Sequence, residues 1–149
     1  MPWHVVASNL QLGDVVSYAF VDHTAELQLE IEAPSRAAVF SDAVLALGDL
    51  LAGDLRPDGA RQTRELSVRA ADDPVLLAAW LDEIVFVAET EGLVPLRAER
   101  LDVGTGEVRG AVSFVEGVAP PHLVKGVTYH DLALFRDGET WRARVILDV

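Results

Sequence analysis

Cysteine is absent from this chain of 149 residues. Its absence excludes disulfide bonds, thiolate metal sites and a cysteine nucleophile. No apolar run approaches the length that spans a bilayer, and the first residues lack the basic and apolar regions of a signal peptide. Together these absences favour a cytoplasmic protein that has no membrane segment.

Positive charge is also scarce. The chain has 12 Lys and Arg residues against 24 Asp and Glu residues, a formal net charge of -12, and Lys125 is its single lysine. Direct binding to nucleic acid needs clustered Lys and Arg to neutralise phosphates, so it is not expected here. An acidic surface suits solubility, cations or a basic protein partner.

The usual signatures of nucleotide binding and hydrolysis are missing as well. Residues 104–106 form a Gly-Thr-Gly segment without the rest of a phosphate-binding fingerprint, and neither Gly-x-Ser-x-Gly nor His-Glu-x-x-His occurs. Catalysis is therefore poorly supported. A carboxylate cluster could still activate a metal-bound water, which keeps open a small metal-dependent phosphoester hydrolase.

The hydrophobic pattern predicts one compact α+β domain over residues 1–149, in which residues 1–17 form an N-terminal extension of unclear role. Half of the residues are hydrophobic, enough for a core at this length. Apolar residues at helical spacing predict two amphipathic helices, at about 35–52 and 74–91. Alternating residues and Gly-containing turns predict mostly antiparallel strands at 27–33, 66–70, 96–103, 107–115, 124–129, 132–136 and 140–147.

A polar cluster precedes the first predicted strand. Asp22, His23, Thr24 and Glu26 bring two carboxylates, an imidazole and a hydroxyl into five residues. Asp and Thr often cap turns, so a polar turn is one interpretation of the cluster. The other is a set of metal ligands, with Glu26 at the mouth of the core.

A second pair of oxygen-bearing groups lies at Asp148 and Val149, at the end of the last predicted strand. A solvated chain end is the simplest interpretation. If the fold brings these residues to the first cluster, their carboxylate oxygens would suit calcium or magnesium. They would suit zinc less, because no histidines occur at zinc-ligand spacing.

The third candidate is Lys125, which begins a segment of Lys, Gly, Val, Thr, Tyr and His at residues 125–130. A strand with one solvated lysine explains this segment without any function. A contact site for an anion or a partner protein is the functional alternative.

Several segments together resemble the archease family. They are residues 20–26, which read Phe-Val-Asp-His-Thr-Ala-Glu, with the strand after them; the helical segment 38–47; the Leu-Leu-x-x-Trp-Leu-x-Glu stretch at 76–83; Val-Lys-Gly-Val-Thr-Tyr-His at 124–130; and Val-Ile-Leu-Asp-Val at 145–149. The likeness runs from about Tyr18 to Val149. Each motif alone is modest, whereas their order and spacing make the resemblance specific.

This resemblance implies a non-enzymatic accessory protein that promotes guanylylation and repeated turnover of a GTP-dependent RNA ligase in tRNA splicing and RNA repair. It implies contact with RNA only through the ligase. It also implies a divalent cation, Ca2+ with Mg2+ or Mn2+ as alternatives, held by Glu26, Asp148 and Val149. Lys125 corresponds to a family lysine tied to activation of the ligase.

Two positions depart from the family pattern, which has Asp at Glu26 and Ala at Gly126. On this interpretation Asp22, His23 and Thr24 shape the turn that presents Glu26. A metal-free protein-binding module is a third hypothesis, beside the ligase activator and the hydrolase.

Overall fold

A computed structural model describes residues 4–10, 17–23, 26–53, 58–117 and 124–149. Its strands are β1 (His4–Leu10), β2 (Ser17–His23), β3 (Glu26–Ala33), β4 (Arg61–Arg69), β5 (Leu93–Gly104), β6 (Glu107–Glu116), β7 (Gly126–Asp137) and β8 (Thr140–Asp148). Its helices are α1 (Arg36–Ala52) and α2 (Asp73–Glu91). The α+β class and both predicted helices are confirmed.

The strands form two antiparallel sheets. Sheet A has the order β1-β2-β3-β8-β7, and sheet B has the order β4-β6-β5. Helix α1 contacts β3 and β8 of sheet A and β5 of sheet B, while α2 contacts β7 of sheet A and the strands of sheet B. The helices thus join the two sheets around one hydrophobic core, in which Trp80 is fully buried.

Local sequence explains where both helices begin and end. Ser35 and Asp72 are extended residues whose side chains accept the N–H groups of Ala38 and Val75. Such caps satisfy N–H groups that the first helical turn leaves without a partner. After α2, Gly92 adopts a left-handed conformation at φ 66° that favours glycine.

A close approach fixes how α1 lies on sheet B. A Cβ atom built at Gly48 would be 2.3 Å from the carbonyl oxygen of Pro95 in β5. No real Cβ atom tolerates that distance, so only glycine lets helix and strand come this near. The glycine therefore belongs to the packing of the two elements.

Two differences from the predicted strands concern sheet A. The sequence did not predict β1 and β2, which pair with each other while β2 also pairs with β3. The strands predicted at 124–129 and 132–136 are one strand, β7, whose register with β8 shifts between Thr128 and Ala133. Asp131 lies within that shift, where its φ of 53° bends the backbone. The sequence predicted two strands where the structure has one bent strand.

Gly-containing turns connect β5 to β6 at 104–106 and β7 to β8 at Asp137 and Gly138. Strand β4 begins at Arg61, earlier than the strand predicted at 66–70. Among the residues that the structure does describe, neither helix has the length and hydropathy needed to cross a bilayer.

Candidate functional site

Glu26 and Asp148 are directly opposite each other on neighbouring strands of sheet A. They form the first pair of the β3–β8 ladder, and both side chains are partly exposed. Side chains at directly opposite positions have Cβ atoms about 4.5–5.5 Å apart. The fold thus brings together two of the predicted metal ligands that the sequence separates by most of the chain.

The charge of this pair differs from that of its neighbours on the same face. Further along the ladder, Glu30 is opposite Arg144 and Glu32 is opposite Arg142, with 3.3 Å between the charged groups of the latter pair. Across the paired residues 26–33 and 141–148, only the Glu26–Asp148 position has two acidic partners. Unlike the two Glu–Arg pairs, this pair is not stabilised by attraction between its own two side chains, because like charges at opposite positions repel.

The pair belongs to a row that crosses four strands. His23 of β2 pairs with Glu26, and Gly126 of β7 pairs with Asp148. Asp22 pairs instead with Leu27, one position along the ladder. The side chains of Asp22 and His23, and all of Thr24, lie outside the described residues, so their predicted turn role stays a prediction.

Lys125 joins the row through its main chain. Its N–H group donates a hydrogen bond of 2.7 Å to the carbonyl oxygen of Asp148, and its side chain is exposed. Val149, the next residue after Asp148, is 38 % exposed. The structure thus places Lys125, Asp148 and Glu26 at one end of sheet A.

Asp82 of α2, which no sequence motif indicated, lies against the start of β7. Its Oδ1 accepts the N–H group of Val127 at 3.1 Å and would lie 4.0 Å from a Cβ atom at Gly126. Burial raises the pKa of the Asp82 carboxyl, and the hydrogen bond from Val127 lowers it in part. No sequence pattern links α2 to a strand that begins 44 positions after Asp82.

The donor set suits a hard cation. Glu26 and Asp148 supply carboxylate oxygens, which Ca2+, Mg2+ and Mn2+ prefer as ligands. Within the described part of the chain, no three His, Cys, Asp or Glu side chains come together as a metal cluster. A cation at the Glu26–Asp148 pair would therefore also need main-chain oxygens, such as those of Val149, or water.

Two other polar features lie apart from this row. A groove of about 390 Å³ on sheet B is lined by Glu65, Leu66, Ser67, Arg100, Asp102 and Arg109, and the Arg100 guanidinium donates to the Glu65 carboxylate at 2.6 Å. In α1, Asp42 is 4 % exposed, and its Oδ2 has no hydrogen-bond partner among the described residues. Burial raises the pKa of Asp42 to about 7.

Comparison with known proteins gives a consistent family match. The sequence model of the Archease protein family (MTH1598/TM1083) matches residues 18–149. A protein of Mycobacterium tuberculosis named "Probable protein archease" is 32% identical over 92% of this chain and 77% of its own length. A "Protein archease" of Methanosarcina barkeri is 25% identical over 89% of this chain and 95% of its own length.

Two solved structures share the fold. The solution structure of protein 1598 from Methanobacterium thermoautotrophicum has a TM-score of 0.65 at 24% identity, covering 87% of this chain and 96% of its own. The crystal structure of an archease from Thermotoga maritima, described as a possible chaperone, has a TM-score of 0.62 at 20% identity. It covers 86% of this chain and 94% of its own.

Proposed function

This chain belongs to the archease family, and from that premise we propose that it is a non-enzymatic accessory protein of a GTP-dependent RNA ligase. It promotes guanylylation of the ligase and so supports repeated turnover in tRNA splicing and RNA repair. It acts in the cytoplasm and meets RNA only through the ligase. The net charge of -12 supports this indirect role, because phosphates would be repelled.

The observation that carries the proposal is the acidic pair Glu26–Asp148 in a ladder whose neighbouring charged pairs are Glu–Arg. Two carboxylates at directly opposite positions lie close enough for their oxygens to share one divalent cation. We assign the cation to Glu26, Asp148 and the oxygens of Val149. Ca2+ is the first candidate, with Mg2+ and Mn2+ as alternatives, since all three accept oxygen ligands.

Lys125 supplies the opposite charge. Its main chain is bonded to Asp148 while its side chain is exposed, so the ammonium group can reach a partner next to the cation site. An ammonium group is a compact point charge that binds phosphates well. Lys125 therefore contacts the ligase or the phosphates of its nucleotide.

These residues explain how a protein without catalytic machinery of its own would help a guanylyl transfer. Such a transfer needs the triphosphate held in line with the attacking group and its charge neutralised. Bordering the nucleotide site of the ligase, Glu26 and Asp148 position the cation, and Lys125 adds charge stabilisation. The bond-making chemistry stays with the ligase.

The test adds this protein at substoichiometric amounts to its cognate ligase with GTP and Mn2+ or Mg2+, and follows covalent ligase–GMP. We expect faster formation and repeated turnover. Asp148→Ala should abolish the stimulation, whereas Glu30→Ala, a matched carboxylate deletion on the same strand, should retain it. Failure of the wild-type protein to stimulate would refute the proposal.

Two further measurements on the isolated protein separate the alternatives. Turnover of phosphoesters by the isolated protein would indicate a hydrolase that uses the same carboxylates. Equilibrium dialysis that shows no binding of Ca2+, Mg2+ or Mn2+ would indicate a metal-free protein-binding module. The ligase activator predicts cation binding without phosphoester turnover.

A further inference from the structure

We propose that Asp82 of α2 is a positioning residue, which anchors the start of β7 and thereby holds Lys125 in place against Asp148. This inference rests on the function proposed above for Lys125 and Asp148. The other residues of the proposed site lie at the ends of strands, whereas Asp82 supports them from helix α2. Asp82 itself touches neither the cation nor the ligase in this proposal.

The first argument is the position of β7 at the edge of sheet A. An edge strand bonds a neighbouring strand on one side only, so the N–H groups on its other side need different partners. The N–H group of Val127 donates to Asp82 Oδ1 at 3.1 Å. A side chain of α2 therefore occupies the place that another strand would otherwise take.

The second argument is that this contact falls beside the Lys125–Asp148 contact. Val127 is two residues after Lys125, whose N–H group donates to the carbonyl oxygen of Asp148 at 2.7 Å, and Gly126 between them pairs with Asp148. Residues 125–127 are thus held from one side by β8 and from the other by α2. Releasing one side would let this short segment move away from the acidic pair.

The third argument is that partial burial of the Asp82 carboxylate is energetically unfavourable. Burial raises the pKa of its carboxyl, which means that the site disfavours the charged form. Among the described residues, no Lys, Arg or His side chain forms an ion pair with Asp82. A partly buried acid on a helix that joins two sheets is better explained by the bond it accepts than by surface solubility.

Three variants separate the hydrogen bond from the charge. Asp82→Asn keeps an oxygen acceptor at the same distance from the main chain and removes the charge. Asp82→Ala removes both. Glu89→Ala, an exposed acid on the same helix, controls for the lost charge alone.

The first readout is amide hydrogen exchange by NMR on the full chain, with the amide of Val112 in sheet B as an internal reference. In Asp82→Ala the amides of Val127 and Lys125 should exchange about tenfold faster, while the reference is unchanged. Asp82→Asn and Glu89→Ala should match the wild type. Unchanged exchange at Lys125 in Asp82→Ala would overturn the inference.

The second readout is stimulation of ligase–GMP formation. Asp82→Ala should lower it about tenfold, and Asp82→Asn should restore it. Full stimulation by Asp82→Ala would overturn the positioning role while the ligase function stands. If the wild-type protein gives no stimulation, the proposed function fails, and exchange at Lys125 alone still decides whether Asp82 positions this residue.

Discussion

The N–H group of Lys125 donates a hydrogen bond to the carbonyl oxygen of Asp148 across the start of β7. Its length of 2.7 Å makes it one of the shorter main-chain contacts outside the regular elements. This bond ties the single lysine of the chain to one of the two acids at the end of the β3–β8 ladder. Positive and negative groups of the proposed site are therefore held by backbone geometry, without a salt bridge between their side chains being required.

Both members of the Glu26–Asp148 pair should contribute to cation binding. Glu26→Ala and Asp148→Ala should each weaken binding of Ca2+ or Mn2+ at least about tenfold, because even outer residues around a metal contribute about 10- to 100-fold to affinity. Isothermal titration calorimetry measures the change. Glu30→Ala is the control, since Glu30 is opposite Arg144. Glu26→Asp, which keeps a carboxylate on a shorter side chain, should retain binding. Equal affinities for all variants would show that the cation does not bind at this pair.

Asp42 should make the stability of the protein depend on pH. Burial raises its pKa from 3.8 to about 7 in the folded state, so the unfolded chain releases this proton at lower pH than the folded protein does. Its contribution to the free energy of unfolding therefore falls as pH rises from about 4 to about 7, and is constant above that.

Asp42→Asn removes the titration and keeps the shape. Relative to wild type, this variant should gain stability on the order of 3 to 4 kcal/mol between pH 4 and pH 8. Urea unfolding of both proteins at pH 4 and pH 8 measures the difference in stability. The cost of burying the Asn amide does not change with pH, so it cancels when the differences at the two pH values are compared. A difference between the two proteins that is the same at both values would contradict the raised pKa.

Gly48→Ala should destabilise the protein, although alanine normally stabilises a helix interior by about 1 kcal/mol over glycine. The added Cβ would lie 2.3 Å from the carbonyl oxygen of Pro95, so α1 and β5 must separate. A loss of about 1–3 kcal/mol in urea unfolding is expected. Ala37→Gly, on an exposed position of the same helix, should lose only about 1 kcal/mol. A more stable Gly48→Ala protein would show that the two elements can move apart freely.

Arg36 should be sensitive even to replacement by lysine. Its guanidinium donates to both carboxylate oxygens of Asp73, at 2.6 and 3.0 Å, and to the carbonyl oxygens of Val103 and Gly104. A lysine cannot reproduce this planar arrangement, so Arg36→Lys should cost about 1–3 kcal/mol in thermal or urea unfolding. Arg69→Lys, an exposed pair with Glu107, should change stability by less than about 1 kcal/mol. Similar losses for both variants would contradict the special role of Arg36.

The helices could be predicted from sequence because their signals are local. Asp72 caps α2, Pro74 follows in its first turn, and Gly92 closes it, so each boundary is set by residues a few positions away. The strands β1 and β2 carry no comparable signal, since their pairing partners decide their structure.

In the candidate site, too, the features set by local sequence could be predicted and those set by distant contacts could not. The face on which Asp148 lies follows from the sequence, because side chains alternate along a strand and Asp148 falls opposite Ala143, Val145 and Leu147. Those three residues are buried. Asp82 could not be found this way. An acid on a helix is normally interpreted as solvent-facing, and the contact that shows otherwise is with a strand that begins 44 positions later.

The pairing of Glu26 with Asp148 also has a consequence for the order of folding. Strand β8 lies between β3 and β7, so the two acids cannot meet until β8 has inserted into sheet A. Contacts between such distant segments form late in folding, because closing a long loop costs entropy. A cation at this pair should therefore bind the assembled sheet and not an early folding intermediate.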